Sequence, residues 1–230
     1  MIDFHTHILP SMDDGSNSIE TSKKMLEEIE NDGVEVVCLT SHYYSFFESI
    51  DKFIERRNEA FAKLNYQGKL KLKLGSEIRY YDSMAEDENI GKLCLEGTNI
   101  LLIELPLFGS INDNIIYDIL RLKNRGFDIV LAHIERYKIK EQTLDYLYKS
   151  DIKFQLNTRP LLGYFTRKNA LKLVKNGYIS YLGSDCHNLK ERAPFFQKAI
   201  SKLKETLGDD LNSYIDGLNN LVIDETNTNL

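Results

Sequence analysis

The 230-residue chain has no tryptophan, four prolines and three cysteines. Cys38, Cys94 and Cys186 are odd in number and form no C-x-x-C pair, which argues against a disulfide framework and for reduced thiols in a cytoplasmic protein. No apolar run approaches the ~20 residues needed to cross a bilayer. No basic stretch leads into an apolar segment of secretory type either, so neither membrane integration nor export is expected. An excess of basic charge is also missing: 29 Lys and Arg stand against 35 Asp and Glu, a net charge of −6. That balance excludes a general nucleic-acid binder, which needs a basic surface to neutralise phosphates. Linkers, low-complexity segments and sequence repeats are absent as well. One domain over residues 1–223 is expected, followed by a polar tail at 224–230.

What the chain does have is a regular alternation. Seven β-like runs are read at 2–5, 34–40, 70–75, 100–105, 127–133, 152–156 and 178–183. Several are continuous apolar stretches, such as Ile129-Val130-Leu131-Ala132, which suits parallel strands covered on both faces. Amphipathic helices are read at 17–31, 51–65, 112–125, 140–149, 166–176 and 194–207. Asn17 with Glu20 gives a capping signal for the first helix, and Gly33 ends it. Strand–helix alternation of this kind predicts right-handed βαβ crossovers and a parallel α/β sheet or barrel.

In such folds functional groups collect at the carboxyl ends of the strands. All five histidines lie there: His5 and His7 after the first strand, His42 after the second, His133 after the fifth and His187 after the seventh. Carboxylates join them at Glu77, Glu104 and Asp185, and Asp13-Asp14-Gly15 follows the first strand closely. In extended chain, residues i and i+2 face the same way, so His5 with His7 and Asp185 with His187 can address one centre. A lone H-x-H is a weak signal, and Asp-Gly by itself is an ordinary turn. The joint pattern, with six of seven strand ends offering a ligand, points to a multinuclear site of nitrogen and oxygen donors. Of the two aspartates Asp14 is favoured as the ligand over Asp13. The sixth strand, ending near Asn157, offers none.

The blocks MIDFHTHILPSMDDGS, LTSHYY, GSEIRYY, LLIELP, LAHIERY and GSDCHN resemble the polymerase-and-histidinol-phosphatase (PHP) superfamily, and within it the bacterial protein-tyrosine phosphatases of capsular and exopolysaccharide synthesis. The resemblance runs from residue 1 to about 195. It implies a distorted (β/α)7 TIM-like barrel with three divalent metal ions at its rim. The first would be held by His5, His7, Glu77 and Asp185, the second by Glu77, Glu104 and His133, and the third by Asp14, His42 and His187. Manganese is the expected ion, while iron, zinc and magnesium also suit the donors. The implied reaction is hydrolysis of phosphotyrosine by a hydroxide generated on the metals. Arg136 and Arg192 would clamp the phosphate. The implied partner is a phosphotyrosyl protein, the tail of a cognate bacterial tyrosine kinase.

Competing readings make distinct demands. Cys186 to Arg192 spells C-x5-R, the spacing of cysteine-dependent phosphatases. The intervening His-Asn-Leu-Lys-Glu has no glycine to form a phosphate cradle, so coincidence is the better reading. Histidinol-phosphate phosphatase shares the expected ring. A non-catalytic metal-binding interaction domain would show gaps in it, and a barrel amidohydrolase would have less use for paired arginines. Residues 106–114 are expected to shape the cleft.

Overall fold

A computed structural model describes residues 1–106 and 111–223. The tail at 224–230 and the middle of the 106–114 segment lie outside the described residues. Among the described residues nine strands form, all paired in parallel: β1 (Ile2–Thr6), β2 (Val36–Leu39), β3 (His42–Tyr43), β4 (Lys71–Leu74), β5 (Glu77–Arg79), β6 (Ile100–Glu104), β7 (Asp128–Leu131), β8 (Lys153–Asn157) and β9 (Ile179–Gly183). One sheet has the order β1-β2-β4 and the other β3-β5-β6-β7-β8-β9.

The two sheets make a single ring of seven staves. β2 and β3 are halves of one stave broken at Thr40–Ser41, and β4 and β5 are halves of the next, broken at Gly75–Ser76. Hydrogen bonds bridge the break, from Gly75 N to Leu39 O (3.0 Å) and from Glu77 N to Thr40 O (3.0 Å). The ring closes where Thr6 bridges Cys186, with Asp185 N donating to His5 O (2.8 Å) and His7 N to Cys186 O (3.0 Å). The expected seven-stave α/β barrel is therefore present. The strand readings at 34–40 and 70–75 differ in detail: each stave kinks, then re-forms a short strand that carries His42 or Glu77.

Helices α1 (Ile19–Asn31), α2 (Ile50–Leu64), α3 (Asp113–Asn124), α4 (Glu141–Lys149), α5 (Arg159–Leu162), α6 (Arg167–Lys175), α7 (Phe196–Leu207) and α8 (Leu211–Ile223) follow the strands. The first helix is capped by Ser18, which accepts from Thr21 N (3.1 Å), and not by Asn17. A serine one residue nearer the helix reaches that free amide. Gly126 and Gly177 take positive φ after α3 and α6, the left-handed turn that ends a helix. The short α5 and the terminal α8 are additions to the sequence reading.

Two apolar clusters hold the layers together. The larger joins helix faces to the strands, for example Met25, Leu26 and Ile29 of α1 with Val37 and Leu39 of β2. The smaller contains Ile2, Phe4, Cys38, Leu95, Ile100, Leu102, Val130, Ala132 and Tyr181, and no residue of an α-helix. Phe4 stacks on Tyr181 with ring centroids 4.0 Å apart. Towards the carboxyl ends of the strands this apolar filling gives way to buried polar groups.

Candidate metal centre

The rim is built by abrupt backbone turns at strand ends. His133 and Asp185 have φ of +34° and +52°, a left-handed conformation that costs a non-glycine residue energy and persists where surrounding bonds hold it. At His133 the hold is Gln155, whose side-chain oxygen accepts from His133 N (2.8 Å). Gly183 lets the staves approach: a Cβ there would lie 2.5 Å from His5 Cβ and 2.8 Å from Gln155 Nε2. A larger residue would displace His5.

The structure gathers all nine expected ligands at this rim. His5 Nε2 and His7 Nε2 are 3.0 Å apart, each within 3.2 Å of Glu77 Oε2 and within 3.8 Å of Asp185 Oδ1. His133 Nε2 lies 2.9 Å from Glu77 Oε1 and 3.6 Å from Glu104 Oε1. Asp14 Oδ1 lies 3.6 Å from His42 Nε2 and 3.3 Å from His187 Nε2. His42 Nδ1 turns the other way, 2.9 Å from Glu77 Oε2. Groups of donor atoms able to share an ion are His5, His7 and Glu77; His42, Glu77 and Glu104; and His7, Asp14, His42 and His187. Glu77 and His42 thus sit where neighbouring groups meet.

Behind this ring stands a shell that the sequence reading missed. His7 Nδ1 pairs with Asp13 Oδ2 (2.8 Å), and the same oxygen accepts from His42 N (2.8 Å). The two aspartates therefore divide: Asp13 is buried behind His7, while Asp14 faces the ring. His5 Nδ1 meets Gln155 Oε1 (3.1 Å), His133 Nδ1 meets the Tyr137 hydroxyl (3.1 Å), and His187 Nδ1 donates to Asp185 O (2.9 Å). Partners of this kind fix the tautomer and aim the Nε2 lone pair at the centre. Asn157 donates to Asp185 Oδ2 (2.9 Å). The stave that supplies no ligand supplies Gln155 and Asn157, and their i, i+2 spacing in an apolar strand was the available signal.

Electrostatics follow from burying so many charges together. Burial alone would push the His5 and His7 imidazoles down, but Glu77 and Asp185 around His5, and Asp13 and Glu77 around His7, raise both. Burial would raise Glu77, yet His5, His42 and His133 hold it well below its ordinary value. Burial lowers His133 and His187. Among the described residues three buried atoms at the centre, His42 Nδ1, Glu77 Oε2 and His187 Nε2, make no well-aligned hydrogen bond, although His42 Nδ1 faces Glu77 Oε2 at 2.9 Å and His187 Nε2 faces Asp14 Oδ1 at 3.3 Å. An unsatisfied buried polar group costs about 1–3 kcal/mol. Convergent nitrogen and carboxylate lone pairs with that deficit fit divalent cations.

Guanidinium groups edge the ring. Arg136 and Arg192 pair with opposite oxygens of Asp185, Arg192 Nη2 at 2.9 Å, and both remain about a third exposed. Arg79, absent from the sequence reading, adds a third, with Nη1 2.8 Å from Glu104 Oε2. Cys186 faces the opposite direction. Its side chain is fully buried in the apolar core, and burial raises the thiol pKa well above its ordinary value. A nucleophilic cysteine needs an exposed, electropositive setting; this one has neither.

The family described as capsular polysaccharide synthesis, CpsB/CapC, matches residues 1–223. The tyrosine-protein phosphatase YwqE of Bacillus subtilis is 30% identical over 227 residues, covering 92% of this chain and 87% of that protein. The tyrosine-protein phosphatase CpsB of Streptococcus agalactiae is 27% identical, covering 91% of this chain and 92% of its own. Among solved structures, one from the pair YwqE and Streptococcus pneumoniae CpsB, described as unique metal-dependent tyrosine phosphatases, superposes with a TM-score of 0.82 at 26% identity. It covers 100% of this chain and 96% of that one.

Proposed function

Since this chain belongs to the CpsB/CapC family of capsular polysaccharide synthesis, we propose that it is a metal-dependent tyrosine phosphatase acting on phosphotyrosyl protein. The observation that carries the reading is the convergence of the imidazole and carboxylate donors around His42, Glu77 and His187 with the Arg136 and Arg192 guanidiniums on one rim. Three ions are assigned: one to His5, His7, Glu77 and Asp185, one to Glu77, Glu104 and His133, and one to Asp14, His42 and His187. Manganese is the preferred ion among those that the donors suit. Bound ions supply Lewis acidity towards the phosphoryl oxygens and a lowered pKa for water.

The protein's own groups do the rest. Arg136 and Arg192 are forks whose hydrogen-bond geometry matches a phosphoryl group. Each is held beside the ring by one oxygen of Asp185, so an arriving phosphate meets guanidiniums already placed, with little reorganisation to make. Asp13, Gln155 and Tyr137 keep His7, His5 and His133 oriented through turnover. The natural substrate on this reading is the phosphorylated tail of a bacterial tyrosine kinase in the cytoplasm.

The test is phosphate release from a phosphotyrosyl peptide, from the same peptide carrying phosphoserine, and from histidinol phosphate. Each is measured as purified, after chelation and after manganese is restored. The expected result is peptide phosphotyrosine turnover that chelation abolishes and manganese returns. Faster turnover of histidinol phosphate would replace the reading with that of a small-molecule phosphatase, and turnover that survives complete metal removal would end it.

A further inference from the structure

Of the seven large hydrophobic side chains exposed among the described residues, Tyr117, Tyr146 and Tyr148 lie on helices α3 and α4, while the four most exposed fall in two adjacent pairs. Phe46 and Phe47 are 72% and 75% exposed, and Tyr164 and Phe165 are 86% and 91% exposed. Phe46 and Phe47 lie in the loop between β3 and α2, at the carboxyl end of the second stave. Tyr164 and Phe165 lie between α5 and α6, on the connection leaving the sixth stave. In a ring of seven staves the second and sixth stand across the mouth from each other, with the metal centre between them.

Both loops connect to that centre through contacts. On the second stave the His42 ring stacks on Tyr44 at 5.0 Å, and Tyr44 touches Phe46 at 5.5 Å and Phe47 at 5.7 Å. Phe46 and Phe47 pack on each other at 4.5 Å. An aromatic path therefore runs from a ligand of the ring to an exposed pair two contacts away. On the sixth stave Phe165, Arg159, Pro160 and Thr166 line a cleft of about 630 Å³ together with Arg136 and Glu135, two guanidiniums to one carboxyl. Arg159 has no carboxylate within ion-pair distance among the described residues. Rings that pack on one another before a partner arrives lose little freedom on binding.

Resting on the phosphotyrosine reading above, we propose that these two loops dock an extended protein segment on either side of its phosphotyrosine, with an apolar or aromatic neighbour on Phe46–Phe47 and an acidic neighbour in the Arg159–Phe165 cleft. Successive residues of an extended chain advance about 3.3 Å each, so positions two or three away from the phosphotyrosine reach beyond the mouth on both sides. The loops then select a protein segment over a free phosphate ester, since a small ester fills the ring without touching either loop.

The test compares the metal-loaded wild type with the double variant Phe46→Ser, Phe47→Ser. Substrates are a phosphotyrosyl peptide with aromatic neighbours, the same peptide with those neighbours replaced by serine, and phenyl phosphate. Burial of one phenylalanine side chain corresponds to about a tenfold change in binding. The expected result is a KM for the aromatic peptide raised about tenfold or more, with kcat kept. Serine for the flanking residues should cost the wild type a similar factor and the variant little more, as coupled groups behave. Phenyl phosphate kinetics should stay within about twofold, and circular dichroism and metal content should match wild type. An unchanged KM, or an equal loss on peptide and phenyl phosphate, would overturn the docking proposal while leaving the phosphatase reading standing. Absence of phosphotyrosine turnover in the wild type itself would overturn both.

Discussion

Gln155 illustrates what a neutral residue contributes to a charged site. Its side-chain oxygen sits between His5 Nδ1 (3.1 Å) and His133 N (2.8 Å), while its nitrogen donates to Asn157 (2.8 Å). One amide thus fixes the aim of one proposed ligand and the strained backbone of another. Gln155→Leu keeps the volume and removes both bonds. Loss of such an outer partner typically lowers metal affinity 10–100-fold, so the variant should need that much more manganese for half-maximal activity and recover much of its rate in excess metal. A metal titration followed by activity checks this, and an unshifted midpoint would deny Gln155 the role. Cys186 makes the converse case. With its thiol buried and its pKa raised, Cys186→Ser should retain activity within about threefold, and native protein should resist alkylation there; buried hydroxyl for thiol should cost stability of about 1–3 kcal/mol. Loss of turnover in a folded, metal-loaded serine variant would restore the C-x5-R reading. Candidate ligands were legible in the sequence because His, Asp and Glu at strand ends carry their chemistry in their names. Gln155 and Arg79 were not, because each acts on partners from other strands, and Tyr137 was not, because its reach to His133 four residues back depends on the tight turn between them.

At the scale of elements, continuous apolar runs and 3.6-residue periodicity located seven staves and six helices. What they missed were pieces too short or too weakly patterned to register: β3 and β5, of two and three residues, the four-residue α5, and α8. The short strands exist because the ladder resumes after each kink, a tertiary event with no local signature. For α8 the reason lies in its partner. Ile215 and Leu218 close over Ile2, Phe4, Tyr181 and Phe196, which β1, β9 and α7 bring together from distant parts of the chain. This packing lies at the amino end of β1, remote from the carboxyl rim. Leu218→Ala, at a site already bordering a small cavity, should cost about 2 kcal/mol, the lower end for such truncations. For a chain of this size that lowers Tm by about 4–8 °C. Activity at 25 °C should be unaffected, and thermal melts with parallel assays test the separation of the two ends. A rate loss without a loss of stability would show that α8 communicates with the rim.

Across the whole molecule, the ring exchanges one set of partners for another when metal is removed. In the chelated protein Glu77 and Asp185 are held below their ordinary values of 4.5 and 3.8 by the histidines, while His5 and His7 are held above 6.5. Depressed carboxylates contribute stability that is present above their unfolded pKa values and lost as pH falls through the folded ones. Raised histidines contribute stability that is full below 6.5 and lost as pH rises through their folded values. The chelated ring is therefore best compensated between about pH 4.5 and 6.5, and the protein, with two apolar clusters intact, should stay folded there. Metal ions compete with protons for the same imidazoles, so their stabilising effect should grow as pH rises. At a hundredfold excess over Kd the linkage contribution is about 2.7 kcal/mol, or about 5–10 °C in Tm. Melting curves with manganese and with chelator should accordingly lie close together near pH 5.5 and separate by about that margin near pH 8. A constant separation across this range would mean that His5 and His7 give up no protons on binding, and that ions are held by the carboxylates alone.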